Sequence, residues 1–229
     1  QAREVAPVPR TAQLLQFIAG LPLLTLTAAR IGTWFALGAW VAGALGADWA
    51  PQLPTPALVV LAIILLTPIG RIVLAAAVAR PLLGGVRPGR YQRGGSVHLR
   101  VWLAERLAEA SGAENMAGAP WLVYYARLLG NKVGSGVDLH SAPPVTGMLT
   151  RGHRCSIEPE VDLTGHWIDG DLFHVGPITV GNDATVGART TLLPGAVVGK
   201  NADVAPGSGV VGKVKNGQYW KGSPAVKSG

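Results

Sequence analysis

The chain has 229 residues, of which 48% are apolar and 14% charged, with a mean hydropathy of +0.31 and a net charge of +7. It is too apolar for an ordinary soluble domain, so part of it is expected to lie in lipid. The arginines flank apolar stretches and form no basic stripe with interleaved aromatics, which excludes a nucleic-acid partner, while a single cysteine excludes a disulfide framework. Because the first residue is Gln and the first apolar block has no signal-peptide cleavage site, we expect a fragment of a longer protein.

The N-terminal third predicts a helical hairpin in the membrane. The charged residues between positions 11 and 81 are Arg30, Asp48, Arg71 and Arg80. The proline-rich segment 51–56 divides this stretch into residues 31–47 and 57–70. Each half is long enough to span only if Arg30 and Arg71 lie near one interface, where their guanidinium groups reach the lipid headgroups.

Basic residues on both sides of the hairpin predict its orientation. Arg3 and Arg10 precede it, further arginines follow it up to residue 93, and the connecting loop holds only Asp48. Both ends are therefore expected in the cytoplasm, with residues 14–29 as an apolar helix at that interface. Candidate residues for the aromatic belt are Trp34, Trp40 and Trp49. The chain is predicted to be a multi-pass protein of the cell membrane.

A regular sixfold pattern dominates the C-terminal region. From residue 180 onward every sixth position is a branched aliphatic, namely Val180, Val186, Leu192, Val198, Val204 and Val210. Small residues recur at the fifth position of each hexad. This pattern predicts a left-handed parallel β-helix, and the glycines, Pro194 and Pro206 argue against an amphipathic helix.

The predicted fold class is therefore mainly β, with hexapeptide repeats preceded by a two-span transmembrane hairpin and two short helices. We divide the chain into membrane helices with a linker (residues 1–95), a helical connector (96–130) and the β-helical domain (131–229). The connector helices are predicted at residues 97–110 and 121–129, with Ser96 as the N-cap of the first.

The repeat is damaged upstream of residue 180. Arg151 occupies a core position, so we expect it either to point outward or to pair with Glu158 or Glu160. Cys155 occupies a small fifth position, which indicates packing. Between Leu163 and Val180 the register slips by one residue, and functional residues tend to collect where a regular scaffold is interrupted.

That interruption holds the candidate catalytic residues His166, His174 and Asp169. Two imidazoles beside carboxylates suit general-base work, in which a neutral histidine accepts the proton of an attacking amine and a carboxylate fixes its tautomer. Alternatives remain: His174 also fits a core position, Asp169 also fits an ordinary Asp-Gly turn, and the group could hold a metal, although a third imidazole is not evident. Candidate substrate-binding residues are the acidic Glu158, Glu160 and Asp171, together with His140.

The C-terminal tail predicts a contact for a pantetheine arm. Lys213 and Lys221 are candidates for its phosphate, and Trp220 lies beside Lys221. Lysines near a chain end are also commonly just solvated.

Several segments together resemble one family. They are residues 116–121 (MAGAPW), 125–130 (YARLLG), 139–147 (LHSAPPVTG), 157–163 (IEPEVDL), 165–170 (GHWIDG) and 188–195 (ARTTLLPG). They resemble the C-terminal units of poly-ε-lysine synthetase-type nonribosomal peptide synthetases, and the Gly-x-Pro-Ala ending resembles the hexapeptide-repeat acyltransferase superfamily. Arg151 departs from the apolar residue expected in its hexad.

This resemblance implies amide-bond formation. An aminoacyl thioester on the phosphopantetheine of a carrier domain would be attacked by the amine of an amino acid or oligomer, with no cofactor bound directly by this chain. One rival interpretation is a membrane-anchored acyltransferase that uses free acyl-coenzyme A. Another is a non-catalytic copy that completes a trimer or pseudo-trimer with sibling β-helical domains.

Overall fold

The computed structural model describes residues 7–114 and 120–228, so Arg3 and residues 116–119 of the first family motif lie outside the described residues. Five helices and a first strand precede the β-helix in this part of the chain. They are α1 (Arg10–Ala44), α2 (Thr55–Leu66), α3 (Pro68–Leu83), β1 (Gly89–Gln92), α4 (Ser96–Ser111) and α5 (Trp121–Leu128).

The first long helix differs from its prediction. Residues 14–29 and 31–44 belong to one continuous helix, α1, whose 35 residues extend about 52 Å, so the predicted boundary at Arg30 is wrong. By length and composition α1 can cross a bilayer. The next two helices add a second candidate span only if α2 and α3 are taken together as one bent segment.

A sharp bend separates α2 from α3. The second span was predicted over residues 57–70, but α2 ends at Leu66 and α3 leaves at 73° to it. Pro68 lacks a backbone N–H and forces Thr67 into an extended conformation (ψ 148°), which ends the helix. The Thr67 hydroxyl then accepts a hydrogen bond from the Gly70 N–H and caps α3.

Two arginines join these helices to α4. Arg30 on α1 donates to the Ala110 carbonyl (2.8 Å), and Arg71 on α3 donates to the carbonyls of Ser111 (2.8 Å) and Gly112. These carbonyls lie at the C-terminal end of α4, where helical hydrogen bonding leaves them unpaired and the helix dipole favours a cation. The two predicted interface arginines therefore lie together and hold the end of α4.

The predicted linker contains a strand. β1 lies within residues 87–95, and α4 begins at Ser96 with Gly95 as its N-cap, so the predicted Ser96 cap is wrong. Gly95 is extended (ψ 175°) whereas Ser96 is already helical, and no side chain caps this end.

Fifteen strands follow α5 in the described chain. They are β2 (Lys132–Val133), β3 (Asp138–Leu139), β4 (Leu149–Arg151), β5 (Ser156–Ile157), β6 (His166–Asp169), β7 (Leu172–Val175), β8 (Ile178–Val180), β9 (Thr185–Val186), β10 (Thr191–Leu192), β11 (Val197–Val198), β12 (Asp203–Val204), β13 (Gly209–Val210), β14 (Lys213–Val214), β15 (Tyr219–Lys221) and β16 (Val226–Lys227).

Parallel pairing arranges most of these strands on three faces. Face one has the order β2-β4-β8-β11-β14, face two β3-β5-β9-β12-β15, and face three holds β10 and β13 with a bridge from Asp162 to Thr191. All six aliphatics of the sixfold pattern are buried in the lumen. The predicted left-handed parallel β-helix is confirmed, with about five coils.

Arg151 keeps its core register. It pairs with Val133 and Val180 along face one and is only 2% exposed, so the expectation that it points outward is wrong. Its Nη2 donates to the Cys155 carbonyl at 3.4 Å. Glu158 and Glu160, the partners considered for it, bond to the Ala188 N–H and to Arg189. Cys155 is buried, as its packing interpretation predicted.

The register slip is an inserted β-hairpin. Leu163 and Val180 are seventeen residues apart, whereas the regular step between the same faces, from Leu192 to Val198, is six. The extra residues form the antiparallel strands β6 and β7, and β7 also pairs with β1 in the order β1-β7-β6. This small sheet lies over α4.

One continuous core crosses the predicted region boundaries at residues 96 and 131. Buried residues from α3, α4, α5 and every face of the β-helix belong to a single apolar cluster, with Ile72, Val101 and Tyr125 in its helical part. The helices after the bend therefore belong to the globular part of the chain.

Candidate active site

His166 forms the central contact of the site. Its Nε2 lies 2.7 Å from Oε1 of Glu105 on α4, and both side chains are 21% exposed. The imidazole is therefore neither sealed in the interior nor freely solvated. A substrate can reach it while the carboxylate holds it in one orientation.

The hairpin base positions His166. Gly165, just before β6, has a φ of +69°, a left-handed conformation that favours glycine. A Cβ there would also meet the Gly176 carbonyl at 3.1 Å. The Gly176 N–H closes the base by donating to the Gly165 carbonyl at 2.9 Å. This tight turn directs the first side chain of β6 toward α4.

Helix α4 presents a second histidine beside the first. His98 and Glu105 are seven residues apart, which places them on one face two turns apart. The buried Phe173 ring lies between the imidazoles, with centroids 4.7 Å from His98 and 5.1 Å from His166. His98 Nδ1 accepts a hydrogen bond from the Gly94 N–H at 2.8 Å. Burial lowers the pKa of His98, and its nearness to His166 and Arg93 lowers it further.

A second carboxylate, that of Glu114, lies within electrostatic range of Glu105. Glu114 follows the C-terminal end of α4, and its pKa is raised, first by burial and then by the charges of Glu105 and Glu109. Glu105, which contacts His166, therefore has a second carboxyl group within electrostatic range. A cationic group would be attracted there.

The contact with Glu105 leaves the second ring nitrogen of His166, Nδ1, available to accept a proton. With Nε2–H donating to Glu105, the neutral ring of His166 carries its lone pair on Nδ1. Within residues 7–114 and 120–228, no group bonds to that nitrogen. The pair has the geometry of a general base oriented by a carboxylate.

His174 lies on the other side of the hairpin. In antiparallel pairing it faces Trp167 and Arg90, whereas His166 faces Val175, so the two imidazoles point to opposite faces of the sheet. The Nε2 atom of His174 is buried and has no hydrogen-bond partner in the described part of the chain. The structure thus separates the two histidines that the sequence grouped together.

The two aspartates mark the tip of the hairpin. Asp169 ends β6 opposite Leu172 and is exposed, as an Asp-Gly turn predicts. The Asp171 carbonyl accepts from the Arg93 N–H at 2.9 Å. Asp169 and His166 lie at opposite ends of β6, so the carboxylate that contacts His166 is Glu105.

The other predicted substrate-binding residues gather at a different corner. His140 and Glu158 stack in successive coils after face two, since Leu139 pairs with Ile157. Glu158 accepts from the Ala188 N–H at 3.0 Å, and Glu160 pairs with Arg189 at 2.7 Å on the surface. The hairpin leaves the β-helix at the corner between faces three and one, so these residues lie apart from His166.

The predicted pantetheine contacts lie on two faces. Lys213 begins β14 on face one, in a column with Val197 and Thr179, two strand spacings or roughly 10 Å from the strand that follows the hairpin. Lys221 is on face two, where the Trp220 indole N–H donates to Gln218. Lys213 alone of the three shares the hairpin's side of the β-helix.

Sequence reasoning missed Glu105 and His98. Neither residue was among the candidates that the sequence analysis named. Their seven-residue spacing gave a usable signal, since it places two titratable groups on one face of α4. The described residues contain no group of three or more His, Cys, Asp or Glu that could hold a metal ion.

Comparison with known proteins gives two curated relatives, and no protein-family model matches. The chain is 31% identical over 160 residues to delta-poly-L-ornithine synthetase of Acinetobacter baumannii, covering 69% of this chain and 12% of that protein. It is 30% identical over 95 residues to a putative acetyltransferase of Saccharomyces cerevisiae, covering 42% of this chain and 44% of that protein. The chain thus spans less than half the length of either relative.

Solved structures are similar to this chain at lower identity. The serine acetyltransferase of Brucella abortus is 18% identical with a TM-score of 0.42, over 90% of this chain and 72% of that one. PerB of Caulobacter crescentus, in complex with CoA and GDP-perosamine, is 21% identical with a TM-score of 0.35, over 44% of this chain and 52% of that one.

Proposed function

We propose that this chain is an amide-bond-forming acyltransferase unit of a membrane-bound nonribosomal peptide synthetase, with His166 as its general base. The observation that carries the proposal is the hydrogen bond between His166 and Glu105 at the hairpin base. The two curated relatives, one named as a poly-ornithine synthetase and one as a putative acetyltransferase, support the reaction class.

The reaction needs no covalent intermediate on the protein. The neutral amine of one substrate attacks the carbonyl carbon of an acyl thioester, so a C–N bond forms and the C–S bond breaks. His166 Nδ1 accepts the amine proton, and Glu105 stabilises the resulting imidazolium. The same proton then passes to the departing thiolate, which leaves as a thiol.

The acidic surroundings fit an amine substrate that carries a further positive charge. Glu105 and Glu114 lie close enough to influence one another, and Glu105 contacts the base directly. A cationic amino acid or oligomer would be concentrated there, whereas an anionic acceptor would be repelled.

The thioester is proposed to arrive on the phosphopantetheine arm of a carrier domain. Lys213 is exposed at the corner from which the hairpin emerges, so its ammonium can contact the phosphate of that arm. Free acyl-coenzyme A, which carries the same pantetheine thioester, is the second candidate donor. The similarity to a putative acetyltransferase supports this second donor.

Membrane attachment and assembly belong to the same proposal. The exposed surfaces of α1 and α2 are mostly apolar, and their hairpin is proposed to lie in the cell membrane with the β-helix in the cytoplasm. Trp167 and Ile168 project from β6 into solvent and suit contact with a sibling β-helical domain in a trimer or pseudo-trimer.

Single substitutions in the complete protein test the assignment of the base. We expect His166→Ala to slow amide formation by roughly 100-fold to 10,000-fold and Glu105→Gln by a smaller factor, because only the first removes the proton acceptor. Amide product is measured by mass spectrometry with an aminoacyl-pantetheine thioester and with acetyl-coenzyme A as donors.

Two further variants make the test specific. His153→Gln alters an exposed histidine that contacts Ser135 and is expected to leave the rate unchanged. His174→Phe tests the opposite face of the hairpin and is also expected to retain most of the activity. Full activity of a folded His166→Ala protein would instead favour a non-catalytic copy, and loss only in His174→Phe would move the base to His174.

A further inference from the structure

The face shared by α3 and α5 is apolar on its outer side. α3 buries Ile72 and Ala79 in the core, whereas Ile69 and Val73 lie one turn apart on the adjacent face and are exposed. On α5, Trp121 is 38% and Tyr124 55% exposed, beside the same stripe. A groove of about 480 Å³ runs between the two helices.

Two cations border this groove. Arg80 donates to the Leu128 carbonyl at 3.3 Å, and Arg127 donates to the carbonyls of Val133 and Gly134 at 3.4 Å. Both side chains are exposed, and neither forms an ion pair with a carboxylate of the described residues. Each guanidinium therefore keeps donors for an anion from outside the chain.

The bend after α2 gives this face its orientation. α3 leaves α2 at 73°, so if α2 stands along the membrane normal, α3 lies close to the membrane plane. The exposed Ile69 and Val73 then follow closely in the chain on the exposed apolar residues of α2, such as Ile63 and Ile64. Tryptophan and tyrosine beside arginine at such a level are typical of the headgroup region.

We propose that the α3–α5 face rests on the cytoplasmic leaflet and binds the phosphate of an anionic phospholipid through Arg80 and Arg127. This inference rests on the membrane placement proposed above. The apolar groove takes part of an acyl chain, the aromatic rings lie among the headgroups, and the two arginines contribute roughly fivefold each to the preference for anionic lipid. The catalytic helix α4, which packs on α3, is thereby held against the membrane surface.

Site-specific quenching tests the depth of this face. In a Cys155→Ala background, a single cysteine replaces Tyr124 and carries an environment-sensitive fluorophore, and the full chain is placed in nanodiscs whose lipids carry a shallow nitroxide. Tyr124→Cys is expected to be quenched strongly, as is Phe35→Cys on the exposed side of α1. The exposed Tyr219→Cys, on the last full coil of the β-helix, is the unquenched control.

Lipid composition tests the role of the two arginines. Nanodiscs of phosphatidylcholine are compared with nanodiscs that also contain phosphatidylglycerol, and retained phosphatidylglycerol is counted by native mass spectrometry. We expect the wild-type chain to retain phosphatidylglycerol in preference to phosphatidylcholine. Quenching at residue 124 is expected to be stronger in the nanodiscs that contain phosphatidylglycerol. Arg80→Gln with Arg127→Gln removes this preference, whereas the exposed Arg87→Gln keeps it.

The outcomes separate this inference from the membrane proposal. Quenching at residue 35 without quenching at residue 124 overturns the inference, because the α3–α5 face would then lie away from the lipid. Quenching at neither position overturns membrane placement itself. Equal retention of phosphatidylglycerol by wild type and the double arginine variant overturns anionic-lipid recognition.

Discussion

At the residue scale, the site depends on a contact between side chains far apart in sequence. Glu105 and His166 are separated by 61 positions, and neither stands in a recognisable local motif with the other. His98 adds a neutral imidazole whose pKa is lowered by burial and by neighbouring positive charge. A second cation beside His166 would oppose the imidazolium that forms in the proposed reaction, so a neutral His98 favours that reaction.

His98 should make stability depend on pH. Its folded-state pKa lies below the unfolded value near 6.5, so between the two values the unfolded chain binds a proton that the folded chain does not. Full stability is therefore present above about pH 6.5 and is lost as the pH falls toward the folded pKa. Thermal unfolding in micelles from pH 7 to pH 5 is expected to show this loss, and His98→Asn, whose amide oxygen can still accept from Gly94, should reduce it. An identical slope in both proteins would contradict the assignment.

At the element scale, α4 connects the proposed membrane hairpin to the candidate site. Its C-terminal carbonyls receive hydrogen bonds from Arg30 and Arg71, and its middle carries Glu105. Helix α4 therefore packs against both the N-terminal helices and the candidate base, His166. The sequence analysis predicted that both arginines lie near one interface, and the structure shows that both contact the C-terminal end of α4.

Arg71 should contribute to stability through its hydrogen bonds more than through its charge. In Arg71→Gln the carbonyls of Ser111 and Gly112 lose their donors, which is expected to cost about 1–3 kcal/mol. Arg71→Lys keeps the charge with a differently shaped donor and should recover only part of the loss. Thermal unfolding in micelles measures both, with the exposed Arg10→Gln as the control. Equal stability of all three would show that the end of α4 is satisfied without Arg71.

At the scale of the whole molecule, the β-helix supplies a rigid support for the hairpin. Each aliphatic in the lumen stacks on its equivalents in the coils above and below, as Ile157 does between Leu139 and Val186. The hairpin enters and leaves this stack at Leu163 and Ile178, which are both buried. Its position is therefore fixed at both ends.

Ile157→Ala should destabilise the protein by roughly 2–5 kcal/mol because it leaves a cavity in a lumen that cannot readily collapse. Val211→Ala changes an exposed aliphatic and is expected to stay within about 0.5 kcal/mol of wild type. Unfolding followed by circular dichroism compares the two. Equal small effects would mean that the lumen relaxes around the missing atoms.

The sequence by itself determined the β-helix and the position of its interruption. A sixfold aliphatic repeat needs only neighbouring coils to be satisfied, so it can be read from local spacing alone. It also singled out His166, because a histidine beside a glycine at a broken register is a local signal. It did not determine which carboxylate contacts that histidine.

Only the tertiary structure decided the partner of His166, the separation of His174 and the bend at Pro68. Glu105 reaches the site because α4 packs beneath the hairpin, and that packing depends on contacts between distant segments of the chain. His174 was misgrouped because adjacent sequence positions say little about opposite faces of an inserted sheet. Local spacing therefore determined the scaffold, whereas the contacts of the site arise from packing between elements that have no common repeat.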